Sequence, residues 1–166
     1  PSMLLLDRTG EIDDLWPRIG PEAPLPDRGR VLVDLARLEE AAPLPIEIGV
    51  HVPNDSDPAA LAPWFARLAL ISVDFPAFSD GRGFSIARRL RALGFPGRLR
   101  ASGPVIADQF GYLLQCGFDE VAVPDEIAAR QPVESWLAAL GGITLGYQRG
   151  IPGRAPILER RLGRDG

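Results

Sequence analysis

Four strand-and-helix units follow one another between residues 46 and 140, and this repetition limits the fold more than any other feature. Each unit begins with a short run that is apolar or alternates between polar and apolar residues, and it continues into an amphipathic run of helical period. The predicted strands are 46–52, 69–75, 98–102 and 119–123, and the predicted helices are 58–68, 83–93, 104–116 and 125–140. Parallel neighbours need a long crossover, usually a helix. The sequence therefore predicts an α/β domain with a parallel sheet of four or more βα units.

Polar and apolar residues alternate along several of these strands. Ile48 and Val50 share one face of their strand, whereas Glu47 and His51 share the other. Helices cover both faces of a doubly wound sheet, and its strands read as continuous apolar runs. We therefore expect a half-barrel-like sheet with helices mainly on one face, and a flavodoxin-like doubly wound sheet is the alternative. On the face without helices we expect a carboxylate–arginine pair between neighbouring strands, drawn from Glu47, Arg98, Arg100 and Glu120.

The two ends of the chain are less regular than its middle. Residues 1–45 form an irregular segment of the same domain, with short strands predicted at 3–6 and 30–33 and a helix at 35–42. Residues 46–148 form the (βα)₄ core, with a last short strand at 144–147. Residues 149–166 are rich in Arg, Gly and Pro, which predicts a flexible tail. We expect the segment before Pro45, or a second copy in a homodimer, to cover the bare sheet face.

Composition excludes several kinds of protein. A single cysteine, Cys116, cannot form an internal disulfide, and it is typical of a reducing cytoplasm. Zinc and haem sites usually draw on several cysteine or histidine ligands, and the chain has one histidine, so we predict no metal site. The net charge of −4 argues against nucleic acid, and no apolar run is long enough to span a membrane. No cofactor motif is evident. Lysine is absent, so every basic side chain is the planar fork of arginine, which suits oxyanions.

The loop after the second core strand is the best candidate for a binding site. It contains Asp80-Gly81-Arg82-Gly83 just before a predicted helix, and Ser102-Gly103 precedes the next helix. Free N–H groups and the dipole at a helix start favour an anion. The predicted anion-binding residues are Asp80, Gly81, Arg82, Gly83, Ser85, Arg100, Ser102 and Gly103. The alternative is that Asp80 pairs with Arg82 and the glycines only make the turn.

Three residues are candidates for acid–base chemistry. His51 lies at the carboxyl end of its predicted strand, Asp74 at the end of the next strand, and Asp80 in the loop that follows. Ligands bind at this edge of parallel α/β sheets. The catalytic candidates are therefore Asp74, Asp80 and His51, although no reaction follows from them. Cys116 is expected to be packed rather than reactive.

Two blocks of residues resemble a bacterial family, domain of unknown function 934. The first block is Phe75-Pro76 with Phe78, Asp80-Gly81-Arg82-Gly83 and Ser85. The second block contains Arg100-Ala101, Gly103, Val105, Asp108-Gln109 and Cys116-Gly117-Phe118-Asp119. The resemblance covers residues 48–123. It adds Phe75, Pro76, Phe78, Asp108, Gln109 and Cys116 to the residues of interest.

The resemblance implies a role in sulfite reduction, because genes of this family lie beside those for sulfite and adenylylsulfate reductases. Three functions stay open. The first is an accessory protein of assimilatory sulfate or sulfite reduction that binds a small oxyanion or one of these reductases. The second is an enzyme, with the oxidoreductase activity attributed to the family, acting on an anionic substrate. The third is a structural half-barrel that works as a homodimer.

Overall fold

In the computed structural model of the protein, residues 3–141 are described, and they form one seven-stranded mixed sheet with helices packed against it. The strands are β1 Met3–Asp7, β2 Gly10–Glu11, β3 Arg30–Asp34, β4 Glu47–Val52, β5 Leu68–Asp74, β6 Arg98–Ser102 and β7 Glu120–Pro124. The helices are α1 Leu38–Ala41, α2 Pro58–Leu61, α3 Arg82–Ala92, α4 Phe110–Cys116, α5 Asp125–Ala128 and α6 Val133–Gly141.

The strand order across the sheet is β2-β1-β7-β6-β5-β4-β3. Strands β3 to β7 are parallel neighbours in chain order, while β1 pairs antiparallel with β7 and β2 antiparallel with β1. The prediction of an α/β fold with a parallel core is confirmed, and each predicted core strand lies within one residue of its observed bounds. The two-residue strand β2 was not predicted, because so short a run has no period.

The predicted helices exist, but prolines divide or shorten them. The run predicted at 58–68 is helical only to Leu61 and continues as a 3₁₀ helix, because Pro63 has no N–H to extend the α-helical ladder. The run predicted at 125–140 divides into α5 and α6 around Pro132 for the same reason. The helix predicted at 104–116 begins only at Phe110, after a 3₁₀ turn. The strand at 144–147 and the tail lie outside the described residues.

One face of the sheet forms the hydrophobic core together with the buried faces of the helices. Alternate strand residues and the helix residues belong to one contiguous cluster. Its strand members include Val31, Val33, Ile48, Val50, Val52, Ile71, Val73, Leu99, Ala101, Val121 and Val123. Its helix members include Ile86, Leu90, Phe110, Leu113 and Trp136. Burial of this apolar surface is the main stabilising term, and it fixes which residues face the other way.

The opposite face carries a row of polar residues at one level of the sheet. The strand register places Asp34 beside His51, His51 beside Ser72, and Ser72 beside Arg100. The same row continues through Glu120 on β7 to Asp7 on β1. Six neighbouring strands therefore each contribute one member to this polar row, which is Asp34, His51, Ser72, Arg100, Glu120 and Asp7.

An extended segment, residues 14–21, lies beside the polar row and is called the strap below. It is held at the sheet edge by backbone hydrogen bonds from Leu32 N–H to the Pro17 carbonyl, at 2.9 Å, and from Ile19 N–H to the Leu32 carbonyl. At its other end Asp14 reaches Arg100, with 3.2 Å between the charged atoms. The segment before Pro45 thus contacts this face through the strap and leaves a cleft open beside it, whereas the homodimer stays a prediction.

Candidate functional site

The strap and the polar row enclose an open cleft of about 990 Å³. Its floor includes His51, Ser72, Arg100 and Ser102, three of which lie in the polar row. The strap supplies Asp14, Leu15, Trp16 and Arg18 to the wall, and β3 supplies Asp34. The size and the convergence of polar side chains are typical of a small-molecule site. The sequence had placed His51, Arg100 and Ser102 among its candidates, and the cleft brings these three together.

His51 makes the most chemically suggestive contacts in the cleft. Its Nδ1 lies 2.9 Å from the hydroxyl oxygen of Ser72, and its Nε2 lies 3.8 Å from the carboxylate of Asp74. Burial, helped by the positive charge of Arg18, lowers the pKa of His51 below its ordinary value of 6.5. The imidazole is therefore neutral at neutral pH, and Nε2, the ring nitrogen that Ser72 does not contact, is the atom through which it can exchange a proton.

Ser72 positions His51 and is not available as a nucleophile. The side chain of Ser72 lies within the sheet, where the residue is only 1% exposed. A serine nucleophile must be reached by its substrate. The hydroxyl instead fixes the orientation of the imidazole ring, and so the reactive candidates are the imidazole and the half-exposed Asp74 carboxylate.

Arg100 is fixed in place by two carboxylates. Its Nε donates to Glu120 at 2.7 Å, and its Nη2 donates to Asp14 at 3.2 Å. Arg98 binds the second oxygen of Glu120 at 2.6 Å. The predicted carboxylate–arginine pair between neighbouring strands is confirmed. Because Arg100 lines the cleft, this network holds its guanidinium in a fixed position at the floor, where Glu120 and Asp14 balance its charge.

Arg18 is the more accessible cation of the cleft. One of its Nη atoms donates to Asp34, the polar-row residue at the sheet edge. Among the described residues, the rest of its guanidinium has no hydrogen-bond partner, and half of the side chain is exposed. The hydroxyl of Ser102 likewise makes no side-chain hydrogen bond within residues 3–141. Several donors thus converge on the same space.

The Asp80 loop lies elsewhere and is satisfied internally. The carboxylate of Asp80 accepts hydrogen bonds from the backbone N–H of Arg82, at 3.1 Å, and from its guanidinium, at 2.9 Å. Asn54 donates to the same carboxylate at 2.8 Å. These contacts, led by the Arg82 side chain, hold the pKa of Asp80 far below its usual range. The arrangement observed is the one stated as the alternative, an internal Asp80–Arg82 pair.

The loops after β5 and β6 are adjacent, as expected, but Phe75 occupies the space between them. A Cβ atom on Gly103 would lie 1.9 Å from the carbonyl oxygen of Phe75, and one on Gly83 would lie 2.4 Å from its ring. The Gln109 side chain donates to the carbonyl of Phe78 at 2.7 Å and joins the two loops. Packing therefore accounts for both glycines. Neither nearby arginine uses its hydrogen bonds in this space. Arg82 binds Asp80, and Arg100 binds Glu120 and Asp14.

The remaining family-matched residues have simpler surroundings. Phe75 and Cys116 are buried in the core, which agrees with the packed role expected for the cysteine. Phe78 is half exposed, and Pro76, Ser85 and Asp108 are exposed. Within residues 3–141, no group of three or more His, Cys, Asp or Glu side chains is placed to hold a metal ion. None of the described helices could cross a membrane.

Sequence reasoning missed the contribution of the N-terminal region. Asp14, Trp16, Arg18 and Asp34 line the cleft, yet none was a candidate. Asp34 could have been found, because it ends β3 directly beside His51 in the register of the sheet. The strap residues have no such signal, since nothing in an irregular segment indicates where it folds back.

Fold and cleft together define a class of protein, a mixed α/β protein that has an open cleft with a polar floor on one face of its sheet. The chain belongs to a family described as bacterial proteins of unknown function, DUF934, whose family model matches residues 49–158. No curated protein and no solved structure matches the chain. The floor residues His51, Ser72, Arg100 and Ser102 lie inside the matched range, whereas the strap lies before it.

Proposed function

We propose that the protein binds a small oxyanion in the cleft and exchanges a proton with it through His51, as an accessory protein of sulfate or sulfite reduction. The observation that carries the proposal is the 2.9 Å contact between His51 and Ser72 on the floor of the cleft. This contact orients a neutral imidazole beside two arginines. The arginines would hold the anion, and the imidazole would take or return its proton.

The donors available in the cleft suit an oxyanion. Arg18 has unshared N–H groups in the fork geometry that matches sulfate, sulfite or carboxylate. Arg100 adds a charge whose position is fixed by Glu120, and Ser102 adds a hydroxyl. Hydrogen bonds to charged groups contribute more than neutral ones. The carboxylates of Asp14, Asp34 and Asp74 reduce the positive electrostatic potential of the cleft. Because they can accept a hydrogen bond, they favour a ligand that can also donate a proton, such as hydrogen sulfite.

The proposal is tested by titrating sulfate and sulfite into the wild type and two arginine variants. Arg18→Gln should weaken binding by roughly 1.5–3 kcal/mol, the range for a hydrogen bond to a charged group. Arg8→Gln is the matched control, because it removes the same charge from an exposed position outside the cleft. Equal affinities in the two variants, or no binding by the wild type, would refute the proposal.

Proton exchange has a separate test. Sulfite gains a proton near neutral pH and sulfate does not, so the pH dependence of their binding should differ. Exchange of a proton between sulfite and His51 adds to this difference in the wild type, so His51→Gln should reduce the pH dependence of sulfite binding to that of the ligand alone and leave sulfate affinity nearly unchanged. Loss of both affinities together would assign His51 to holding the anion instead.

An enzyme is the second candidate, and the approach of His51 to Asp74 favours it. Of the three acid–base candidates, these two lie 3.8 Å apart beside the cleft, whereas Asp80 is bound by Arg82 and Asn54. Such a pair could move a proton on an anionic substrate. Turnover of a sulfur oxyanion that is lost in both His51→Gln and Asp74→Asn would support this function over simple binding.

The half-barrel arrangement is part of the proposal. Strands β3 to β7 follow one another in chain order, and right-handed crossovers then place successive helices on the same face. A flavodoxin-like sheet instead reverses its strand order at a switch point. Among the described residues, the one-sided arrangement keeps helices off the polar row, so that the row borders the cleft beneath the strap. An experimental structure with helices on both faces would contradict it.

A reductase partner, a homodimer and a cytoplasmic location complete the proposal. They depend on the family resemblance, the open cleft and the single cysteine. Co-purification from cells grown on sulfate tests the partner, and a stoichiometric sulfite or adenylylsulfate reductase subunit is the expected result. Light scattering of the purified protein tests the dimer independently.

A further inference from the structure

The cleft is larger and more apolar than a free oxyanion requires. Its volume of about 990 Å³ lies at the upper end of the range, roughly 300–1,000 Å³, of pockets that enclose drug-sized ligands. A sulfate or sulfite ion at Arg18 would leave most of this space to water. Something besides the charged group therefore determines what the cleft accepts.

The strap brings apolar side chains to the mouth of the cleft. Leu15 is 61% exposed, which is unusual for a leucine, and Met3 is also among the exposed large hydrophobic residues. Both line the cleft, together with Trp16 and Ile19. Exposed apolar groups that gather around one concave site, instead of being scattered singly, are typical of a ligand-binding surface.

Contacts with Arg30 and Asp14 hold Trp16 in this wall. The guanidinium of Arg30 lies 5.2 Å from the centroid of the indole ring, in cation–π geometry. The backbone N–H of Trp16 also donates to Asp14 at 2.9 Å, and Asp14 binds Arg100 on the floor. Through Asp14, the position of the Trp16 ring is therefore linked to that of the Arg100 guanidinium. A wall of this kind is suited to stacking a flat or apolar group.

We propose that the ligand is an organic oxyanion, in which a sulfate, sulfonate or similar group is joined to an apolar or aromatic body. The charged group lies at Arg18 and Arg100, and the body packs against Leu15 and Trp16. This inference rests on the proposed function, because it uses the same oxyanion position. It adds that the strap selects the substrate class by its apolar side chains.

The test compares three probes by calorimetry on the full chain: inorganic sulfate, phenyl sulfate and benzyl alcohol. Phenyl sulfate should bind at least about tenfold more tightly than inorganic sulfate. The reason is that burying a phenyl ring contributes more free energy than a tenfold change in affinity requires. Benzyl alcohol, which has the ring without the charge, should bind much more weakly than phenyl sulfate. Leu15→Ala should remove most of the preference for phenyl sulfate, so that the ratio of the two affinities falls toward one.

Leu93→Ala is the matched control, since Leu93 is another exposed leucine and lies outside the cleft. The inference is overturned, while the proposed function stands, if sulfate and phenyl sulfate bind equally well. It is also overturned if benzyl alcohol binds as tightly as phenyl sulfate, or if Leu15→Ala and Leu93→Ala behave alike. Failure of both sulfates to bind would refute the oxyanion site itself. Binding of phenyl sulfate alone, dependent on both Leu15 and Arg18, would support the organic oxyanion over the free ion.

Discussion

The Nε atom of Arg100 lies 2.7 Å from a carboxylate oxygen of Glu120, across neighbouring strands β6 and β7. Each residue is only 3% exposed, so this is a buried ion pair in the middle of the polar row. Arg98 and Asp14 extend it to the surface on either side. The pair fixes the floor of the cleft, so it affects both the stability of the protein and the position of Arg100 in the proposed binding site.

Removing the acidic partner should be strongly destabilising. Glu120→Gln leaves the Arg100 charge buried with only the half-exposed Asp14 beside it. We expect a loss of about 3 kcal/mol in the free energy of unfolding, measured by denaturant titration. Glu47→Gln is the control, because its pair with Arg30 is exposed and worth about 0–1 kcal/mol. Similar small losses in both variants would show that the buried pair contributes little.

Three glycines should respond differently to alanine. Gly103 has a φ of +144° and no room for a Cβ atom, so Gly103→Ala should destabilise the protein by more than backbone strain alone. Gly94 has a φ of +96° with open space around it, and its substitution should cost about 1–2 kcal/mol. Gly20, which has neither constraint, should tolerate alanine. Melting curves of the three variants give the order directly, and equal losses at Gly94 and Gly103 would refute the close contact with Phe75.

Stability should depend on the protonation of His51. Because the pKa of His51 is lowered in the folded protein, the unfolded chain binds more protons as the pH falls through the ordinary value of 6.5. The free energy of unfolding should then decrease with falling pH, by at most about 1.4 kcal/mol per pH unit from this group. His51→Gln should flatten the profile in that range. Since the chain has one histidine, its imidazole NMR signals report the pKa without ambiguity; a value above 6.5 would contradict the prediction.

The Asp80 loop should affect stability and leave binding in the cleft alone. Arg82→Ala removes an exposed ion pair and should lower the melting temperature slightly, while the stabilisation by sulfate stays equal to that of the wild type. Asn54→Ala should cost about 0.5–1.5 kcal/mol, because it breaks a hydrogen bond between two loops. If sulfate stabilisation is lost in Arg82→Ala but kept in Arg18→Gln, the anion binds at the Asp80 loop, as the sequence alone predicts.

Local patterns carried the prediction of the elements. The strands that end at Val52, Asp74 and Ser102 were found because each is a short run, either apolar or alternating, between turn signals. The helix predicted at 83–93 lies within one residue of its observed bounds. The other core helices were found in place but too long, and for two of them the reason is that Pro63 and Pro132 were given less weight than the surrounding periodicity. The glycines at 83 and 103 were predicted to bind an anion, whereas in the structure Phe75 packs against both of them. A glycine in the sequence indicates that another group can come close to the backbone, but it does not distinguish a ligand from a side chain of the protein itself.

The sequence by itself determined the order of the units, the parallel core and the placement of His51, Ser72 and Arg100 on one face of the sheet. These follow from periods of two and 3.6 residues, which are local and therefore readable. Only the tertiary structure decided that the strap returns to this face and that Asp14, Trp16 and Arg18 complete the cleft. Asp14 and Arg100 are 86 residues apart in the chain. No local pattern encodes such a contact, because it depends on the register of the whole sheet.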